Sequence, residues 1–183
     1  AYSNAYLGRS GIHLLELPLN SRLLAPLAAT VHFDGVGHFD PPKLRMLDRV
    51  SQFALVAANQ ALVDSGCDLR QLDRDRAGVF VGTGMGGSQS NDDGYKTLYG
   101  DASDRIKPFT VLMGMHNAPA AWIGIEHALR GPNLTYSTAC SSSAVAIGAN
   151  TAALNAASAN SANNKNFMVG VKSIIWIRSV LQL

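Results

Sequence analysis

Charge is scarce in this chain of 183 residues. Asp, Glu, Lys and Arg make up 15% of it, against roughly 25% in ordinary soluble domains, so much of its surface is expected to be buried. Fifteen basic and thirteen acidic side chains leave a formal charge of +2, with no block of one sign. A nucleic-acid reader concentrates Lys and Arg into a stripe, and that class is set aside. Long apolar runs are missing too. The longest, around Leu23–Val31 and Ile174–Ile177, fall short of the roughly 18–20 residues a membrane span needs. Cysteine is limited to Cys67 and Cys140, too few for a disulfide framework or a zinc site. With no charged-then-apolar leader at the start, a reducing, cytoplasmic setting is expected. A G-x-S-x-G elbow, an H-E-x-x-H pair and a lysine-bearing phosphate loop are all lacking, which sets aside the chemistries those motifs carry.

What is present alternates between helical and strand patterns. The length fits one domain. Residues 1–40 read as a loop-rich opening segment with one or two short elements, broken by Gly8, Gly11, Pro18, Pro26, Gly35 and Gly37. An α/β core is expected over residues 41–148. Pro41 and Pro42 suit a first helical turn. Leu47, Val50, Phe53, Ala54, Ala57, Ala61 and Leu62 then recur at helical spacing, and Ser65-Gly66 supplies a stop. This predicts one amphipathic helix. Asp68–Arg76 reads as a charged turn, Ala77–Val81 as a buried strand, and Ser88–Gly94 as a polar stretch without an apolar period. Pro108–Leu129 is apolar and helical, with a kink or a division into two helices expected at Pro119. Leu134–Ala139 reads as a second strand and Ser141–Gly148 as the start of a helix. Residues 149–166 form a tail of biased composition, seven of the eighteen being Ala and six Asn, with no definable helical face. Phe167–Val171 reads as a third strand. The tail is assigned to residues 149–183, and helix alternating with strand points to an α/β fold around a central sheet.

Two places carry candidate chemistry. Gly82, Gly84 and Gly87 satisfy G-x-G-x-x-G directly after a predicted strand, the formal dinucleotide fingerprint. That fingerprint needs a helix opening at its last glycine, which the polar residues after Gly87 do not predict. The favoured reading is a tight loop whose glycines let backbone or ligand come close. Cys140 stands between a strand ending Thr138-Ala139 and a helix beginning Ser141-Ser142-Ser143. A thiol at a helix N-terminus is stabilised as thiolate by the dipole and the free amides. The same amides can hold an oxyanion on a thioester carbonyl. A buried, inert cysteine is the other reading. Cys67 follows Gly66 at a helix C-terminus, where the dipole disfavours thiolate, and reads as structural. His13, His32, His38, His116 and His127 receive no role, although His116 and His127 precede the cysteine strand.

Gly131-Pro132-Asn133-Leu134-Thr135-Tyr136-Ser137-Thr138-Ala139-Cys140-Ser141-Ser142-Ser143 resembles the active-site segment of the β-ketoacyl synthases, the condensing enzymes of fatty-acid and polyketide synthesis. Val79–Gly87 is similar to the glycine-rich strand and loop of that family. Arg105-Ile106-Lys107-Pro108-Phe109 with Asn117 resembles its next block, and Leu44–Gly66, with Met46 and Asp48, its first long helix. Order and spacing agree over roughly residues 40–150. The resemblance implies the N-terminal half of a thiolase-like α/β fold, with a mixed central sheet covered by helices. It implies that Cys140 accepts an acyl group as a thioester and that its own N–H forms part of an oxyanion hole. Met85, Thr110 and Gly114 fall where the family lines its acyl pocket, partly across a dimer interface. Decarboxylative condensation with a malonyl thioester follows in the family, using two histidines and a lysine of its second half, beyond this sequence. No cofactor or metal is implied, since substrates ride on the phosphopantetheine of acyl carrier protein. That carrier, the acyl and malonyl thioesters, and a homodimer or ketosynthase-like heterodimer are the implied partners. A non-catalytic partner subunit of the chain-length-factor type, or an acyltransferase of the same fold, is the alternative.

Overall fold

Asp48 divides what periodicity alone would join. In the computed structural model, which describes residues 7–15, 24–66 and 68–159 (side chains through Ala153), the predicted helix from Pro41 is two helices. Helix α1 is Pro41–Leu44, with Asp40 as its N-cap and the prolines in its first turn. Helix α2 is Arg49–Ser65. Between them Asp48 is extended, and its carboxylate accepts the Val50 N–H, an N-cap that starts a new helix. The stop is as expected: Gly66 takes the left-handed conformation at φ 64° and donates its N–H to Val63 O.

The buried face of α2 is turned slightly from the predicted one. Val50, Ser51, Ala54, Leu55, Ala58 and Ala61 face inward, whereas Phe53, Ala57 and Leu62 are half-buried. Phe53 instead lies under the Arg49 guanidinium, 5.0 Å from ring centroid to carbon. The small residues on the inward face admit a close neighbour, helix α5 (Ala118–Glu126). Leu47, Ala54, Leu55, Ala58, Ala120 and Ile123 form the core with Val79 of strand β3 (Val79–Gly82), and Phe39, Val81, Trp122 and Leu129 close its rim.

Two compact units divide between Asp34 and Gly35. In the first, strands β1 (Ile12–Leu14) and β2 (Leu27–Ala29) pair antiparallel, with Ile12 opposite Ala29. These are the short elements expected of the opening segment. In the second, β3 pairs in parallel with β4 (Asn133–Tyr136) in the register Val79↔Asn133 to Gly82↔Tyr136. The crossover between them holds α3 (Ser88–Tyr95), a wide turn at Lys96–Gly100, α4 (Thr110–Gly114) and α5. The apolar stretch from Pro108 is thus divided into α4 and α5, and Pro119 sits in the first turn of α5, where its missing N–H costs nothing.

Two expectations are overturned. Residues 88–95 are helical despite their polar pattern, because α3 is fixed from outside. The Asp48 carboxylate accepts both the Ser90 N–H at 2.9 Å and the Ser90 hydroxyl at 2.6 Å. The biased segment, in turn, is helical from 149 through 159 as part of α6 (Ser142–Ala159). Alanine's high helix propensity carries that stretch without a defined apolar face. The expected strand Phe167–Val171 and the rest of the tail lie outside the described residues. No helix among those described is long and apolar enough to cross a membrane.

Candidate active site

Parallel pairing brings the C-terminal ends of β3 and β4 level, with Thr83 N–H donating to Tyr136 O at 3.0 Å. Two loops therefore leave the sheet side by side, the place where open α/β folds bind ligands. One is the glycine loop after β3. The other is the turn that presents Cys140.

After β4 the chain runs through Ser137 and Thr138 into a single tight turn, Ala139–Ser141, and then directly into α6. Ala139 stands at φ 52°, the left-handed region, without being glycine, a conformation costing about 1–2 kcal/mol. The reversal turns Cys140 outward, and its thiol is free and exposed. Of the two sequence readings, this exposure among the described residues favours the accessible thiol over the buried one. Cys140 precedes an eighteen-residue helix, whose first-turn amides have no partner within the helix. Cys67 lies outside the described residues.

The glycine loop packs against this turn by lacking side chains. A Cβ on Gly82 would lie 2.3 Å from Ser142 O and 2.6 Å from Ser143 N, so only glycine lets β3 meet the first turn of α6. Gly84 lies beside Ala139. Gly86, at φ 56°, places its backbone against the His116 ring, and its N–H donates to the buried Thr83 hydroxyl at 3.1 Å. Met85, half-exposed, is carried between the two contacts. A helix does open at the last glycine, contrary to the sequence reading, with Gly87 as its N-cap. Its end is nonetheless occupied. A Cβ on Gly87 would lie 1.9 Å from Met113 O, and the Gly87 N–H donates to Gly114 O at 3.4 Å. Protein backbone fills the space a pyrophosphate would need, which favours the reading of a tight packing loop.

Thr110 and Gly114 sit one turn apart on α4. Gly114 is buried against the Asn91 carboxamide of α3. Thr110 contacts Gly94 and lines a cleft of about 300 Å³ with Met113, Lys107, Ile106 and Asp93. A neighbouring cleft of about 600 Å³ lies between Leu44–Gln52 and Lys107–Phe109. Neither cleft is lined by Cys140, Met85 or Gly114. The structure thus joins Met85 to the cysteine turn through the glycine loop, and Gly114 to the same loop through Gly87, while Thr110 faces the adjoining cleft.

Of the histidines, His116 is exposed beside Gly86. His127, at the end of α5, is half-buried, and burial lowers its pKa below the ordinary imidazole value. Lys43 and Arg74 push the same way, against Glu126. Its Nε2 has no hydrogen-bond partner among the described residues. Arg74 donates to its carbonyl, which makes this residue part of the fold around α5. No three His, Cys, Asp or Glu side chains gather into a metal site among the described residues.

Residues 20–162 match the family model described as "Beta-ketoacyl synthase, N-terminal domain". The chain belongs to that family. It is 30% identical over 148 residues to 3-oxoacyl-(acyl-carrier-protein) synthase 2 of Staphylococcus aureus, covering 80% of this chain and 37% of that one. It is 33% identical over 146 residues to the chloroplastic 3-oxoacyl-(acyl-carrier-protein) synthase I of Arabidopsis thaliana, covering 78% and 31%. The chain therefore spans about a third of the length of these curated relatives. Among solved structures it resembles a β-ketoacyl synthase from Burkholderia phymatum STM815, with a TM-score of 0.65 at 23% identity over 86% of this chain and 39% of that one. It also resembles the AntDE:AntF type II polyketide synthase assembly, an acyl-carrier protein in complex with its ketosynthase. There the TM-score is 0.64 at 26% identity, over 69% and 36%.

The fold is accordingly the thiolase-like α/β fold of the ketosynthases, in its N-terminal half. Within this ketosynthase domain, three groups escaped sequence reasoning: Ser142, the Asp48–Ser90 pair and Thr83. Asp48 carried one usable signal, an Asp directly before an apolar period. The other contacts cross from one element to another and leave no local pattern.

Proposed function

We propose that the protein is a β-ketoacyl-(acyl-carrier-protein) synthase of fatty-acid or polyketide synthesis, with Cys140 as its nucleophile. The observation that carries this is the exposed Cys140 thiol on a strand-to-helix turn, in a family whose named relatives are 3-oxoacyl-(acyl-carrier-protein) synthases. In the proposed reaction the Cys140 thiolate attacks the carbonyl carbon of an acyl thioester. A C–S bond forms, and the carbonyl electrons move onto oxygen, where the Cys140 N–H donates to them. Collapse breaks the old C–S bond, and the phosphopantetheine sulfur leaves and takes a proton. The acyl chain then lies along Met85, with Thr110 and Gly114 contributing to the pocket across a dimer interface. A malonyl thioester next loses CO2, and its carbanion attacks the carbonyl carbon of the enzyme thioester. A C–C bond forms, the bond from that carbon to the Cys140 sulfur breaks and the sulfur leaves as thiolate, steps for which the family uses two histidines and a lysine of its second half. The substrates arrive on acyl carrier protein, no bound cofactor or metal takes part, and the setting is cytoplasmic. The chain-length-factor reading is disfavoured because such subunits usually lack the nucleophilic cysteine that is present here.

The test is acyl transfer from an acyl-carrier-protein thioester, read by peptide mass spectrometry. One acyl group on the Cys140 peptide, absent in Cys140→Ala, is the expected result. An unmodified Cys140 peptide, with the carrier thioester intact, would sink the assignment.

A further inference from the structure

Ala139 is the one non-glycine residue of the cysteine turn that the backbone forces into the left-handed region. Nothing in an alanine side chain rewards that conformation, so the neighbours must hold it. The Ser142 hydroxyl meets the turn from both sides. It accepts the Thr138 N–H at 2.8 Å and donates to Ala139 O at 2.7 Å, bracketing the strained residue with one atom. Ser142 is itself 2% exposed. Its carbonyl is packed against the bare Cα of Gly82, which leaves the residue no room to move further toward the sheet. Ser141 offers a comparison one position earlier. Its hydroxyl donates only to Thr138, to the carbonyl at 2.7 Å and the side-chain oxygen at 3.0 Å, and it is exposed.

We infer that Ser142 is the positioning residue of the nucleophile: its hydroxyl holds Ala139 in the left-handed conformation and so fixes where the Cys140 thiol stands over the start of α6. Without it, the Thr138 N–H loses its partner and the Ala139 carbonyl keeps only the Ser142 N–H, and the turn relaxes toward an ordinary right-handed conformation. Cys140 then leaves the mouth of the helix while the rest of α6, seated on β3, stays in place. The inference rests on the proposed role of Cys140, and it assigns to Ser142 no contact with substrate.

The rate at which iodoacetamide alkylates Cys140 reads this directly. The sulfur forms a bond to carbon, the carbon–iodine bond breaks and iodide departs, and peptide mass spectrometry separates Cys140 from Cys67. Ser142→Ala is expected to slow Cys140 by about tenfold or more, since small misplacements of a reacting group carry penalties of that order. Ser141→Ala should stay within about threefold of wild type. The decisive variant is Ala139→Gly in the Ser142→Ala background. Glycine adopts φ near +50° without strain, so most of the lost rate should return, which general loosening of the fold would not produce. Far-ultraviolet circular dichroism on each variant checks that α6 is retained. Wild-type reactivity in Ser142→Ala, or an equal loss in the single and double variants, would overturn the inference. The wild-type rate relative to N-acetylcysteine tests the nucleophile assignment separately, because the role of Ser142 is read from the ratio of variant to wild type.

Discussion

Two regions of the second unit are held together in opposite ways. Where α2 meets α5, side chains fill space: Leu55, fully buried, and Ile123 lie among alanines that set the distance between helices. Where the glycine loop meets the cysteine turn, the missing side chains matter, and backbone lies directly on backbone. A side-chain core adjusts to substitution through rotamers and partial collapse. A backbone contact has no such freedom. The difference shows which part of the molecule tolerates change and which part fixes the geometry of Cys140.

The sharpest way to break that comparison is to add one methyl group on the rigid side and remove several atoms on the soft side. Gly82→Ala puts a Cβ 2.4 Å from the Ser142 carbonyl carbon. It should cost about 3 kcal/mol or more and take Cys140 alkylation down with it. Leu55→Ala should cost about 3 kcal/mol and leave the alkylation rate of the folded protein within about twofold. Urea unfolding followed by tryptophan fluorescence gives the first quantity and peptide mass spectrometry the second. If Leu55→Ala lowered both in parallel, the two regions would have to be one mechanical unit.

Asp48 lies where the regions touch and should give an intermediate effect. Asp48→Asn leaves one carboxamide oxygen where the carboxylate has two, so either the Val50 N–H or the two Ser90 donors face an NH2 group. A loss of about 2 kcal/mol is expected in urea unfolding. Combined with Ser90→Ala the losses should be less than additive, and strict additivity would show that the pair does not act as a unit.

The smallest effect belongs to His127 and depends on pH. Burial lowers its pKa in the folded chain below the unfolded value of 6.5, so folding favours the neutral ring. The contribution is therefore present above pH 6.5 and is lost as pH falls through the lower, folded value. Relative to wild type, His127→Gln should gain stability between pH 7.5 and pH 5, measured as a shift in the urea midpoint. A constant difference across that range would show that the imidazole does not titrate with folding.

Sequence patterns foretold the elements whose causes are local. Pro41 and Pro42 open a helix, Gly66 closes one, and the small residues around Cys140 mark a strand turning into a helix. The family resemblance carried by residues 131–143 supplied the architecture. Causes that act between distant residues left no pattern to read. Helix α3 has a polar sequence and depends on a carboxylate forty-two residues earlier. Ala139 reads as the last residue of a strand, and its left-handed φ is set by Ser142 and the sheet beneath it. The strand-to-helix turn that presents Cys140 was legible, whereas the contacts that hold it were not.

One carboxylate, Asp48, lies at the N-termini of both α2 and α3, using one oxygen for each. The two helix starts thus share a fastening, and its loss would free both. Amide hydrogen exchange across Val50 and Ser90 should report a single opening event of one cooperative unit. Because α3 begins where the glycine loop ends, the breathing of the site is tied to that of the core, and the loop is as durable as the helix that anchors it.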